Sequence, residues 1–194
     1  MKKIMLLVFL AVAMQGCISE SAIFPKVTDR PFLKPSDAGY SVRLADMKDN
    51  RSSEKAGRIS GLGIKAGDEL TRYIYSRLRN RLIEKNISIQ LISAMQGESI
   101  SSPSHLKAVV PSLESASIKT ADSVMFPAKS EISLKIEVCD SSGKVFFSKV
   151  YTGNHSDYLG LVFSGKLPGE YMSIAADRAV ESVAEDPEFL KAIQ

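Results

Sequence analysis

The chain has 194 residues, of which 44% are hydrophobic, 24% charged and 7% aromatic, with no tryptophan and a formal charge of +3. That length sustains one domain with its own core and falls short of two comfortable ones. Sparse aromatics argue against a carbohydrate-stacking platform, and the small net charge argues against a nucleic-acid partner.

At the start, Lys2 and Lys3 form a short cationic end, followed by an apolar run from Ile4 to Met14 and then Gly16. This is the pattern of a secretory signal. A spanning helix needs about 20 apolar residues, so the run is too short to remain as an anchor. Cys17 directly after Gly16 resembles the lipobox of bacterial lipoproteins, in which cleavage falls between those two residues and the cysteine becomes lipidated. Met14 and Gln15 depart from the commonest residues of that motif. The alternative is an ordinary secretory signal with an incidental cysteine. Several acyl chains would hold the protein on a membrane stably where one would not. The sorting rule of such lipoproteins retains mainly Asp after the cysteine in the inner membrane; Ile18 stands there, so the expected address is the periplasmic face of the outer membrane. Removal of residues 1–16 takes two lysines and no acid, lowering the charge from +3 to +1.

Residues 18–38 carry Pro25, Pro31 and Pro35 and show no period, so residues 17–38 are expected to be a lipidated cysteine and an extended tether. Ile23, Phe24, Phe32 and Leu33 are more apolar than a bare spacer needs. Residues 39–194 are expected to form one domain. In it, residues 40–45 read as a strand with Val42 and Leu44 on one face. Residues 46–67 are polar and contain Gly61, Gly63 and Gly67, which match neither phosphate-loop template and read as a surface loop.

Asp68 reads as the N-cap of a helix reaching about Lys85, with Leu70, Ile74, Leu78 and Leu82 on one stripe. Arg72, Arg79 and Arg81 make the rest of this helix cationic and are candidates for a face that meets an acidic partner or anionic headgroups, against the plainer reading of a solvated face. After Asn86, a second strand places Ile87, Ile89 and Leu91 inward. Residues 93–104 read as a loop, and residues 106–119 as a long strand that Pro111 should place at an edge or bulge.

Residues 131–140 and 144–154 form the clearest hairpin, with Ile132, Leu134, Ile136 and Val138 inward, a D-S-S-G turn, and Val145, Phe147 and Tyr151 returning. Residues 158–169 read as a glycine-bearing connection. Met172, Ala176, Ala179 and Val183 then trace a helical stripe. Asp186 caps a last short helix with Pro187 at its first position, in which Phe189 and Ile193 pair. The elements describe an α+β domain: a mainly antiparallel sheet of about five strands with two main helices on one face, in the order β-α-β-β-β-α.

These stretches resemble the YajG-like family of bacterial lipoproteins: the strand V-R-L-A from Val42, the helix opening at Asp68 and closing R-L-I-E-K-N, the strand from Leu106, the hairpin around Ile132, and the end from Ala175 to Leu190. The resemblance implies a lipoprotein of this fold and supplies no substrate, cofactor or catalytic residue.

Chemistry beyond Cys17 is thinly signalled. His105 and His155 are the only histidines and have no ligand spacing around them, so no metal or cofactor is expected. Cys139 is left alone once Cys17 is lipidated. No G-x-S-x-G occurs, and the chain is expected not to be an enzyme. It reads as an envelope interaction or scaffold module, held to the membrane by its anchor and docking onto an envelope protein. The alternative is a small-molecule or lipid binding module with a pocket near Leu161, Val162 and Phe163.

Overall fold

The computed structural model describes residues 19–59, 62–92, 106–119, 127–157 and 166–194. In chain order the elements are β1 (Ser19–Ser21), β2 (Tyr40–Ala45), β3 (Lys48–Asp49), β4 (Lys55–Ile59), β5 (Leu62–Lys65), α1 (Asp68–Glu84), β6 (Ile87–Ile92), β7 (Ala108–Lys119), β8 (Ala128–Cys139), β9 (Val145–Asp157), α2 (Lys166–Glu185) and α3 (Pro187–Ile193), with a 3-10 turn at Pro35–Asp37.

Strict alternation makes β8: Ile132, Leu134, Ile136 and Val138 are all fully buried while Glu131 is exposed. The hairpin turn is held by Asp140, whose carboxylate accepts from the backbone N–H groups of Ser142 (2.9 Å) and Lys144 (3.0 Å). Gly143 supplies the positive φ of 83° that the turn requires. β9 returns antiparallel to β8, and β8 lies antiparallel to β7.

The other side of β7 carries three short strands in succession, all parallel to it: β2 near Ala108, β3 near Ser112 and β4 near Ile118. Beyond β2 lies β6, parallel; beyond β4 lies β5, antiparallel, and then β1, parallel to β5. The helices cover one face of this nine-stranded sheet. Leu70, Ile74, Leu78 and Leu82 of α1 and Met172, Ala176, Ala179 and Val183 of α2 are fully buried against it. The alanine stripe lets α2 sit close: a Cβ on Gly153 of β9 would lie 1.9 Å from the Ala175 carbonyl oxygen.

The α+β class and the one-sided helices match the sequence reading, whereas the sheet is mixed and larger than the five mainly antiparallel strands expected. The difference comes from residues 46–67, which build β3, β4 and β5 as well as connections. Gly57 has φ 136° at an irregularity in the ladder, and a Cβ there would meet the Ile118 carbonyl oxygen at 1.9 Å. Here glycine marks a close backbone approach within a strand, not a loop.

Smaller differences have local causes. Leu91 is 41% exposed because β6 pairs with β2 alone among the described residues. Val145 is exposed beside the irregularity between Val138 and Cys139. The N-cap of α1 is Gly67, with Asp68 the first helical residue, where its carboxylate meets the positive helix end without a capping hydrogen bond. Pro111 lies in an interior strand, at the place where the ladder passes from β2 to β3 and registers no parallel partner. Its missing N–H therefore breaks no ladder on that side.

Asp186 caps α3 as the sequence indicates, accepting from the Glu188 N–H (2.9 Å). It also ties α3 to β9, receiving the Tyr151 hydroxyl (2.6 Å) and facing Lys149 Nζ (2.8 Å). Burial alone would raise its pKa; Lys149, Tyr151 and the Glu188 N–H outweigh that and hold the carboxyl down at about 2.

Two outcomes follow for stability. Leu78→Ala should cost about 2–5 kcal/mol in denaturant unfolding, because α1 and the sheet cannot close the cavity. Asp186 contributes stability that is complete above its unfolded pKa near 4 and is lost as pH falls toward about 2, on the order of 2 kcal/mol. Asp186→Asn should flatten the stability profile over that window, measured by urea unfolding at successive pH values.

Candidate functional site

Residues 19–37, expected as a free spacer, run across the domain as a strap. β1 adds to the sheet beside β5, and the Ala22 N–H donates to the Lys65 carbonyl (2.8 Å). The strap then crosses α2 at Gly169, where a Cβ would lie 1.8 Å from the Ile23 carbonyl oxygen. Phe24 packs on Tyr73 of α1, ring centroids 5.9 Å apart. Further on, Ser88 Oγ donates to the Leu33 carbonyl (3.0 Å).

Asn80, buried on α1, grips the strap from both sides. Its Nδ2 donates to the Thr28 carbonyl (2.9 Å) and its Oδ1 accepts from the Arg30 N–H (3.0 Å). Ion pairs flank it, Arg79–Asp29 at 2.5 Å and Arg30–Glu84 at 2.7 Å. Asp29 and Arg30 are more than half exposed, so solvent screening leaves each pair worth little. A buried amide whose donor and acceptor are both used is worth more.

The proposed cationic face of α1 is therefore mostly spent inside the chain. Arg79 is buried under the strap, with the Phe32 ring 5.2 Å from its guanidinium carbon. Arg81 pairs with Glu84 (2.6 Å) and Glu181 of α2 (2.7 Å). Arg77 pairs with Asp177 of α2 (2.7 Å), which also accepts from the Tyr73 hydroxyl (3.0 Å). Burial, then the Asp177 charge, pushes the Tyr73 pKa up to about 12. Of the three candidates only Arg72 faces solvent, in an open groove of about 590 Å³ between α1 and the strap. A second, polar cleft of about 320 Å³ lies over Arg77, Asn80 and Asp177. Helical spacing alone could not separate these arginines, because their partners come from the strap and from α2.

Cys17 and Gly16 lie outside the described residues, as do His105, the loop at 93–104 and the pocket residues Leu161, Val162 and Phe163. Cys139 is a buried free thiol; burial, then Glu137 and Asp140, raises its pKa and disfavours the nucleophilic thiolate. His155 stands edge-on to Tyr171, ring centroids 5.0 Å apart. It lines a cleft of about 450 Å³ with Lys119, Lys129, Glu131 and Arg178, a grouping that no sequence spacing signalled. Among the described residues, no three His, Cys, Asp or Glu side chains gather as a metal site, and no helix is long and apolar enough to cross a membrane.

Asn80→Ala should release the strap while leaving the domain folded. Loss of both hydrogen bonds, about 1–3 kcal/mol, should speed tryptic cleavage after Lys26, the strap's basic residue not followed by proline, by at least about fivefold. Unchanged cleavage would show that the apolar contacts alone hold it.

No family model matches the chain, and no curated protein matches it. Three solved structures with which it shares part of its arrangement are protein XCC0632 from Xanthomonas campestris, described with the family model DUF330 (14% identity, TM-score 0.48, 89% of this chain and 92% of that one); the PelC dodecamer from Paraburkholderia phytofirmans (15%, 0.45, 86% and 96%); and the lipoprotein GNA1162 from Neisseria meningitidis (11%, 0.42, 75% and 99%). At these values none carries an argument about the activity of this chain, and the YajG-like resemblance rests on the residues quoted for it.

Proposed function

We propose that the chain is a lipid-anchored envelope lipoprotein on the periplasmic face of the outer membrane, acting as a non-enzymatic interaction or scaffold module. The observation that carries this reading is Gly16–Cys17 directly behind a cationic end and a short apolar run. The strap supports it, since a chain held by a lipid at Cys17 would enter the sheet at Ser19 and present the whole domain at a membrane surface.

A docking edge supports the interaction role. β9 runs over Val145–Asp157 and pairs with β8 alone among the described residues, with Phe146 48% and Val150 55% exposed. Backbone groups along such an edge can take an added strand from a partner. The described clefts are open at the surface, and the polar one over Arg77, Asn80 and Asp177 has its charges engaged with neighbouring side chains, an arrangement that favours docking over small-molecule capture there.

Metabolic labelling with palmitate is the decisive measurement. Label should enter the wild-type chain and be lost in Cys17→Ala; equal labelling of both would overturn the anchor. Crosslinking in intact envelopes should recover a reproducible protein partner through β9, and its absence would overturn the scaffold role.

A further inference from the structure

One row of paired residues runs across the sheet from the start of the strap. Ser19 of β1 stands opposite Gly63 of β5, Gly63 opposite Arg58 of β4, Arg58 opposite Lys119 of β7, Lys119 opposite Lys129 of β8, and Lys129 opposite Ser156 of β9. With strands about 4.8 Å apart, Lys129 is about 19 Å from Ser19 at the same end of the sheet. Two successive positions of the row, Lys119 and Lys129, carry exposed cations.

Lys119 and Lys129 lie on the helix-free face. Next along β8, Ser130 turns to the helices and donates to the Tyr171 carbonyl of α2 (2.8 Å), and Ile118, next along β7, is fully buried. Alternation turns Lys119 and Lys129 the other way, and both are exposed. Like charges directly opposite on neighbouring strands destabilise a sheet. Neither lysine has an ion-pair partner among the described residues. Arg178 of α2 reaches the same cleft, and Glu131 is the carboxylate in it.

The cost of this row is offset if anions meet it. Resting on the lipid-anchor reading, we propose that this cationic row is the surface on which the domain lies against the bilayer, taking the phosphates of anionic lipid headgroups. The place where the chain leaves the described fold selects this occupant. Cys17 precedes Ser19 by two residues, a span of at most about 7 Å, which is within the Debye length of about 8 Å at physiological salt. Because the row begins at Ser19, a domain held that closely can lie with the row along the membrane surface, which brings Lys119 and Lys129 into its field.

The test uses the unacylated chain from Ile18 to Gln194, which keeps every described element, in sedimentation with vesicles of phosphatidylcholine alone or with phosphatidylglycerol added. Binding should require phosphatidylglycerol and weaken with salt. Each basic residue near an anionic surface is worth roughly fivefold in partitioning, so Lys119→Gln with Lys129→Gln should weaken binding about 25-fold. Lys144→Gln with Lys191→Gln, exposed lysines at the far end of the β8–β9 hairpin and on α3, should leave it unchanged. Equal binding by the Lys119/Lys129 variant, equal binding to neutral vesicles, or no binding to anionic ones overturns the proposal. Palmitate labelling of the full chain separates the two readings: vesicle binding without labelling strikes the anchor alone, and labelling without vesicle binding strikes the cationic surface alone.

Discussion

The fold depends on satisfying both edges of β7. A buried strand cannot leave its N–H and C=O groups unpaired without losing the worth of a hydrogen bond at each. One edge is met by β8 over nearly its whole length. The other is met piecewise, by β2, β3 and β4 following one another along it. Everything else attaches to this arrangement: β6 extends β2, the β4–β5 pair carries β1, and α1 and α2 cover the face where Val109, Leu113 and Ile118 point.

Legibility in the sequence follows from how much periodicity each element carries. α1, β8 and α2 have four or more apolar residues at helical or alternate spacing, and every residue of those stripes is buried. The Asp186–Pro187 cap was legible because its chemistry is local. β3, β4 and β5 hold two, five and four residues. They are too short to display a period, and they are punctuated by glycines that serve close backbone approach. β3 and β4 take their pairing from β7, at register partners more than fifty residues later in the chain, and β5 follows by pairing with β4.

The strap was illegible for a different reason. Pro25, Pro31 and Pro35 leave residues 19–37 no repeating pattern, and their order is supplied by partners elsewhere: β5, Tyr73, Asn80 and Ser88. The same partners explain why Arg79, which reads as a solvent-facing cation on a helical wheel, is covered by Asp29 and Phe32. The cationic row was equally hidden. Lys119 and Lys129 are separated in sequence and meet only through sheet register, so no motif search along the chain could join them.

The position of β7 has a consequence for how the chain comes into being. Synthesis delivers the chain from its N-terminus, so β2, β4, β5, α1 and β6 emerge before the strand that unites them. Until residues 108–119 arrive, the inner edges of β2 and β4 have no partner, and the apolar stripe of α1 has only part of its sheet to cover. Such unpaired edges on a half-emerged chain invite aggregation, and contacts of this sequence separation form slowly. The first half of the chain therefore has to be kept apart from its copies until the second half closes the sheet, which makes its folding post-translational and favours an escort for the unfolded chain.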